Sequence, residues 1–453
     1  MLLCNINYFV SIELFQYNVL VRTTYLYVPR FQLCSRKNYW HGAKSLCIQR
    51  GGNDEDQPYL RSVVLQQWLF GYELPDTILL LQDDGNLWVC ATKKKCDFLQ
   101  PAVGKDKDFT INLLLRNKED GNAENYATLL KHVTDKTKTE GGDDDSISKV
   151  GVLLKERAAN MESSSAAIVS PYEKMLDVSV DAKTIELVDA THGIALVMAV
   201  KDDFERDLMK KSSVLSNKVM KHGFVKRLED IIEEEKKITH EAFASEIEAI
   251  LEDPNKIKLN VPGDDVQPCY FPIIQSGGKY ELKVSAQSTS NQLAHDIIVV
   301  SLGARYKLYC SNMTRTFLVD PPKKVSKNYE VLLEVQEACL EAMQPGQPLK
   351  AVYKAAVNYL KNNGHEDLVD KLPKNLGFAQ GLEFRDSTLL LSPKNSVQLR
   401  KGMVFCLAVG FQNLELTESN LSNTPNNSPV SIECIYIYIY IYIYININKK
   451  KKW

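Results

Sequence analysis

The sequence predicts a mixed α/β (α+β) protein with a small α/β lobe followed by a larger lobe. Three observations carry that reading. Strand-like apolar runs alternate with helix-like segments across 51–175. Apolar residues from Met209 to Ile232 recur at steps compatible with one helical face, within a helix-rich stretch over 202–253. The stretch 298–320, IVVSLGARYKLYCSNMTRTFLVD, sets two apolar runs about a polar middle, as two strands joined through a bend would.

In chain order, residues 1–50 show no sustained periodicity and are expected to be an atypical N-terminus, altered or mispredicted. The small lobe is expected over 51–175. A helix-like segment reaches about Leu69 and is punctuated by Gly71 and Pro75. Two strands follow, Thr77–Gln82 and Asn86–Ala91, about Asp83-Asp84-Gly85, where glycine accepts the positive φ of a hairpin turn. Further strands are expected at 109–115 and 149–154. Residues 178–201 read as an interlobe connection whose part 192–200 is apolar enough for a strand or a buried helix. The second lobe is expected over 176–412. Its helices include one opening near Thr239, one over 327–343 closed by Pro345-Gly346, and one over 349–362 closed by Asn363-Gly364. A last strand is expected at 403–409.

Composition narrows the function classes. The chain has 453 residues, 44% hydrophobic and 25% charged, with a net charge of −2, so it is no polycation and a nucleic-acid partner would need a local basic patch. The ten cysteines are scattered without a CxxC, which points to reduced structural thiols. The first residues lack the basic start and cleavage site of a signal peptide, and no uninterrupted apolar run is long enough for a membrane helix.

The 298–320 stretch resembles the central hairpin of the creatinase and aminopeptidase P (pita-bread) fold, D-x-G-x-x-Y-x-x-Y-x-S-D-x-T-R-T. Gly303, Tyr306, Tyr309, Ser311, Thr314, Arg315 and Thr316 match it, while Ser301 and Asn312 stand at the two metal-binding aspartate positions. Further motifs, WLFGYEL from Trp68, QSGG from Gln275, KNLGF from Lys374, EFR from Glu383 and KGMVF from Lys401, together resemble the N-terminal region of the large subunit of the FACT histone chaperone complex over about 51–412. The resemblance implies an aminopeptidase-like lobe without peptidase activity. It places Phe378 at the metal histidine, Arg385 at the second active-site histidine, Ala408 at a metal glutamate and Lys283 at the catalytic histidine. A two-metal peptidase needs carboxylate and imidazole ligands, and cationic side chains repel a metal. Lys283 and Arg385 are expected to pair with Glu383 or Asp386, or to hold an acidic peptide end.

The function expected from the resemblance is a non-catalytic histone chaperone subunit acting on nucleosomes in transcription, replication and repair, in the nucleus and on the chromosome. The expected partners are core histones, nucleosomes and, through regions outside this chain, the HMG-box small subunit. Neither a cofactor nor a membrane is expected. Two rival readings stay open: a metal-dependent X-Pro aminopeptidase with displaced ligands such as Glu383 and Asp386, and a peptide-binding module using the old cleft.

Other features read as structural. His295-Asp296 lacks a nucleophile motif, and His192 and His240 are isolated. GGKYELK at 277–283 lacks phosphate-loop spacing, and Lys93-Lys94-Lys95 reads as a surface face. Residues 413–453 are expected to be a disordered or artefactual tail that leaves the second lobe incomplete. The strict Ile-Tyr alternation from Ile435 suits a strand, but an alternating A/T repeat also reads out as Ile-Tyr and an A run as Lys.

Overall fold

The computed structural model describes residues 38–52, 57–103, 109–138, 147–157, 169–278, 280–281, 285–415 and 431–439. The chain divides into two compact units, Met1–Met198 and Ala199–Trp453.

The first unit is built on a six-stranded sheet of order β4-β3-β2-β1-β5-β6. Its strands are β1 Ser45–Arg50, β2 Thr77–Gln82, β3 Asn86–Ala91, β4 Thr110–Leu115, β5 Ser148–Val152 and β6 Ile185–Asp189. The β2–β3 hairpin occupies the expected residues, with Gly85 at φ 90° in its turn. Helices α1 Arg61–Phe70, α2 Lys93–Leu99, α3 Ala123–Lys138, α4 Val169–Asp181 and α5 Thr191–Ala199 complete the unit. Cys47, Ile78, Leu80, Val150 and Val152 pack with Tyr126, Leu129, Tyr172 and Leu176 in its core.

Two expectations are corrected here. The lobe does not start at residue 51, because β1 lies inside the sheet, antiparallel to β2 and parallel to β5. All six residues of β1 are buried, so the strand shows none of the polar–apolar alternation that marks a half-exposed one. Nor is 178–201 a connection: it supplies the end of α4, the strand β6 paired with β5, and α5, so 192–199 is helical while Val200 forms an isolated bridge with Met403.

In the second unit, α6 Asp203–Lys218 runs into a π-helical turn at Val219–Val225 and on into α7 Lys226–Glu233. A capping box starts it: Asp202 accepts from the Glu205 N–H, and Glu205 accepts from the Asp202 N–H. Helix α8 His240–Glu252 is capped by the Thr239 hydroxyl, which accepts from the Ala242 N–H.

Strand β7 Val266–Pro268 opens the strands of this unit. β8 Ile273–Gln275 and β9 Ile297–Leu302 follow. The expected two-strand bend holds a smaller hairpin, β10 Ala304–Tyr306 and β11 Tyr309–Cys310, before β12 Met313–Leu318. Lys307 and Leu308 turn it with φ of 45° and 72°. The strands form sheets β11-β10-β7 and β12-β9-β8, and β9 pairs with β12 in a register that sets Ser301 opposite Thr314. Phe224, Phe243, Ile247, Ile298 and Val300 pack α6, α7 and α8 against these strands.

Helices α9 Lys323–Ala342 and α10 Lys350–Asn362 precede a third sheet of order β14-β13-β15-β16. Its strands are β13 Gly377–Ala379, β14 Asp386–Leu390, β15 Phe405–Glu415 and β16 Ser431–Ile439. The expectation of a disordered or artefactual tail over 413–453 is corrected, as to disorder, for two segments. β15 extends to Glu415, and β16, which includes the start of the Ile-Tyr run, pairs antiparallel with it. Strict alternation of β-branched and aromatic residues has high strand propensity, and the β15 edge offers backbone partners. Among the described residues no helix is long and apolar enough to cross a membrane.

Candidate functional site

The hairpin that organises the second unit presents Ser301 from β9 and Asn312 from the residue before β12. Only glycine fits at 303 between them: a Cβ there would stand 2.3 Å from the Ser311 carbonyl oxygen. That close approach lets the chain fold back so that both side chains meet one phenol, Tyr270, from the loop between β7 and β8. The Tyr270 hydroxyl donates to Asn312 Oδ1 at 2.5 Å and accepts from Ser301 Oγ at 2.5 Å. Thr314 Oγ1 donates to Ser301 Oγ at 2.7 Å, and Asn312 Nδ2 reaches Cys406 Sγ at 3.7 Å. Thr314, Ser301, Tyr270, Asn312 and Cys406 therefore form one continuous chain of neutral donors and acceptors. Burial pushes the Cys406 thiol up to about 12, so it stays protonated and accepts only weakly.

Aromatic rings cover this chain. Phe384 lies 4.9 Å from the Tyr270 ring and 5.7 Å from that of Phe378, which sits on β13 opposite Cys406. The Arg385 guanidinium stands 5.6 Å from the Phe378 centroid, a cation–π contact. Ala408 is buried on β15, two residues beyond Cys406 and so on the same face of the strand. Ser301, Asn312, Phe378 and Arg385 are thus joined through Tyr270 and Phe384, with Ala408 beside them. Lys283 lies outside the described residues.

The expected pairing of Arg385 with Glu383 or Asp386 is not formed. Asp386 Oδ1 instead accepts from the Thr388 N–H at 2.9 Å and from the Thr388 hydroxyl at 2.5 Å. Arg385 Nε is buried without a hydrogen-bond partner among the described residues. Nearby, Arg315 donates to the Thr314 carbonyl at 2.8 Å, and burial lowers its pKa.

The remaining candidates hold the fold. His240 is buried, with Nε2 2.7 Å from Ser276 Oγ and Nδ1 3.1 Å from Thr289 Oγ1, and burial lowers its pKa. Asp296 Oδ1 accepts from the Gly277 N–H, and His192 meets the edge of Tyr39. Gly277 and Gly278 turn at positive φ, while the Gln275 side chain bonds both backbone groups of Glu281. Sequence reasoning missed Tyr270, Phe384 and Cys406. None belongs to the pattern around 298–320; Phe384 lies inside the EFR motif and Cys406 directly follows KGMVF, while Tyr270 has no motif around it.

A metal pair of the kind this fold carries in peptidases would need carboxylates or imidazoles here. An amide, two aliphatic hydroxyls, a phenol and a neutral thiol do not fit a divalent pair. Among the described residues no group of three or more His, Cys, Asp and Glu could hold a metal ion.

The fold identifies the class. The model of Metallopeptidase family M24 matches residues 207–436. An X-Pro aminopeptidase from Thermotoga maritima shares the fold with a TM-score of 0.56 at 16% identity, covering 90% of this chain and 92% of that one. The model of the FACT complex subunit SPT16 N-terminal lobe domain matches residues 28–193. The N-terminal domain of FACT complex subunit SPT16 from Cicer arietinum superposes with a TM-score of 0.79 at 31% identity, covering 92% of each chain. The chain belongs to the family of FACT complex subunit SPT16 N-terminal domains, a mixed α/β lobe joined to a pita-bread M24 lobe. FACT complex subunit SPT16 from Oryza sativa subsp. japonica is 36% identical over 384 residues, 83% of this chain and 34% of that protein. The chain therefore spans about a third of the length of the curated relatives it matches.

Proposed function

We propose that this chain serves as a non-catalytic histone-binding part of a FACT complex subunit, acting on nucleosomes in the nucleus during transcription, replication and repair. The observation that carries the loss of catalysis is the Tyr270 hydroxyl bonded to both Ser301 and Asn312, the positions that correspond to the metal aspartates. A neutral network in place of two carboxylates has nothing to hold a metal or to lower the pKa of a water. Family membership supports the FACT role, with core histones as partners of this chain and the HMG-box subunit reached through regions outside it. The test is a pull-down of each of the core-histone pairs at physiological salt, with metal content and X-Pro peptide cleavage measured on the same preparation. Retention of at least one histone pair, with no metal and no cleavage, is the expected result. Failure to bind any pair removes the chaperone reading, and a stoichiometric metal with turnover restores the peptidase.

A second reading rests on Arg385, which lies over Phe378 with no acidic side chain paired to it among the described residues. A guanidinium backed by an aromatic ring suits a peptide carboxylate, so the cleft would dock an acidic or C-terminal peptide end without cutting it.

A further inference from the structure

We propose that the exposed side of α6, the π-helical turn and the start of α7 is a docking surface for the phosphate backbone of duplex DNA. From residue 208 to 228 the sequence LMKKSSVLSNKVMKHGFVKRL holds five lysines, one arginine and one histidine, and no carboxylate. In a chain of net charge −2 this is the local basic patch that a nucleic-acid partner requires.

The helix sorts these residues by face. Met209, Leu215, Val219, Met220 and Phe224 are buried, while Lys210, Lys218, Lys221, His222 and Lys226 are exposed. Positions 210, 218 and 221 share one side of a helix of 3.6 residues per turn. In a straight α-helix Lys226 would leave that row, because the five residues from Lys221 turn it by about 140°. The π turn at Val219–Val225 closes this gap, since its i→i+5 bonding fits more residues into each turn. Gly223 lets the wider turn sit on α8, where a Cβ would stand 3.2 Å from Ile250. Lys226 thus rejoins the row, which runs about 24 Å from Lys210 at the helical rise.

The carboxylates near the row lie at its ends or are already held. Asp203 and Asp207 precede it and pair with Arg206 and Lys211. Glu229 and Asp230 follow it. On α8, which packs Phe243 on Phe224, Glu246 accepts from Arg227 at 2.7 and 3.1 Å. Glu252 and Asp253 come at the far end of α8, before Lys256 in the next turn. After β10, Lys307 pairs with Asp265. Lys210, Lys218, Lys221 and Lys226 form no ion pair among the described residues.

Four unpaired lysines present point charges at intervals along a rod. The large apolar side chain exposed among them is Val214, 47% exposed, and the Arg227 fork is taken by Glu246. Backbone phosphates are held by charge alone, whereas base edges and peptide carboxylates are read by a free guanidinium or amide fork. The same row repels basic histones, so a duplex and a histone would use different faces. Only the choice of DNA over RNA rests on the nucleosome reading above.

The experiment is fluorescence anisotropy of the whole chain with a labelled DNA duplex of about 20 base pairs over a series of salt concentrations. The expected result is binding that weakens linearly in log–log form as salt rises. The triple variant Lys218→Gln, Lys221→Gln, Lys226→Gln should bind at least tenfold more weakly at about 0.1 M salt and lose about 2–3 from the slope. Lys323→Gln, Lys327→Gln, Lys354→Gln removes the same charge from exposed positions on α9 and α10 and should bind like the parent. Far-ultraviolet circular dichroism checks that each variant is folded. An RNA duplex of the same sequence and polyglutamate serve as competitors, and tighter binding of either overturns the assignment to DNA. No binding of the duplex, or a folded triple variant that binds it like the parent, overturns the proposal whatever the histone pull-down returns.

Discussion

Tyr270 and Asn312 are joined by a hydrogen bond of 2.5 Å from phenol to amide oxygen, between residues 42 positions apart in the chain. The same phenol holds Ser301, so one side chain ties together both positions at which the resemblance to the pita-bread pattern implies metal aspartates. Removing its hydroxyl in Tyr270→Phe leaves the Asn312 oxygen without its donor and Ser301 without its acceptor. An unsatisfied buried polar group costs about 1–3 kcal/mol. The urea midpoint should fall accordingly, and no metal should enter. A variant as stable as the parent would show that the bridge contributes nothing.

Reversing the charge at Arg385 separates the two functional readings. If the cleft grips a peptide end, Arg385→Glu should weaken an acidic peptide at least tenfold by calorimetry and leave the fold intact, because among the described residues the guanidinium has only its ring contact to lose. Unchanged affinity eliminates peptide capture through this residue.

Glu173 on α4 sets a pH dependence in the first unit. Its side chain is fully buried and pairs with Arg157, which also reaches Asp177 at 2.5 Å. Burial pushes the Glu173 carboxyl from an ordinary 4.5 up to about 7. The folded protein therefore holds this proton more tightly than the unfolded chain does. Between pH 4.5 and 7 the folded state binds more protons, so stability is greatest below the unfolded pKa and declines as pH rises through the folded one. Denaturant midpoints measured from pH 4.5 to 8 should fall over that window. Glu173→Gln should flatten this part of the profile, and an unaltered slope would assign it to other groups.

Glu156 seats its carboxylate on the start of α1, accepting from the Arg61 N–H at 2.5 Å and the Ser62 N–H at 3.1 Å. It does from a distant segment what a local cap residue usually does, and Leu60, the residue at the cap position, has no such side chain. Glu156→Ala should cost about 0.5–2 kcal/mol. It should also speed amide exchange in the first turn of α1 ahead of the sheet, whereas uniform exchange across the unit would count against a capping role.

Elements that obey local rules were legible in the residue order. The β2–β3 hairpin carries its own turn in Asp83-Asp84-Gly85, α8 its cap in Thr239, and α10 its stop in Asn363-Gly364. β1 escaped because full burial on both faces erases alternation, and the π-helical turn at Val219–Val225 because an extra residue per turn leaves no compositional mark. At the candidate site, Ser301, Asn312, Phe378 and Ala408 could be picked out by pattern, since they lie in motifs of fixed spacing. Their occupant could not. Tyr270 meets Ser301 and Asn312 only because the loop before β8, the β9 strand and the turn at Gly303 are packed together, and hydrogen bonds across 31 and 42 residues follow from that packing rather than from any neighbour in the chain.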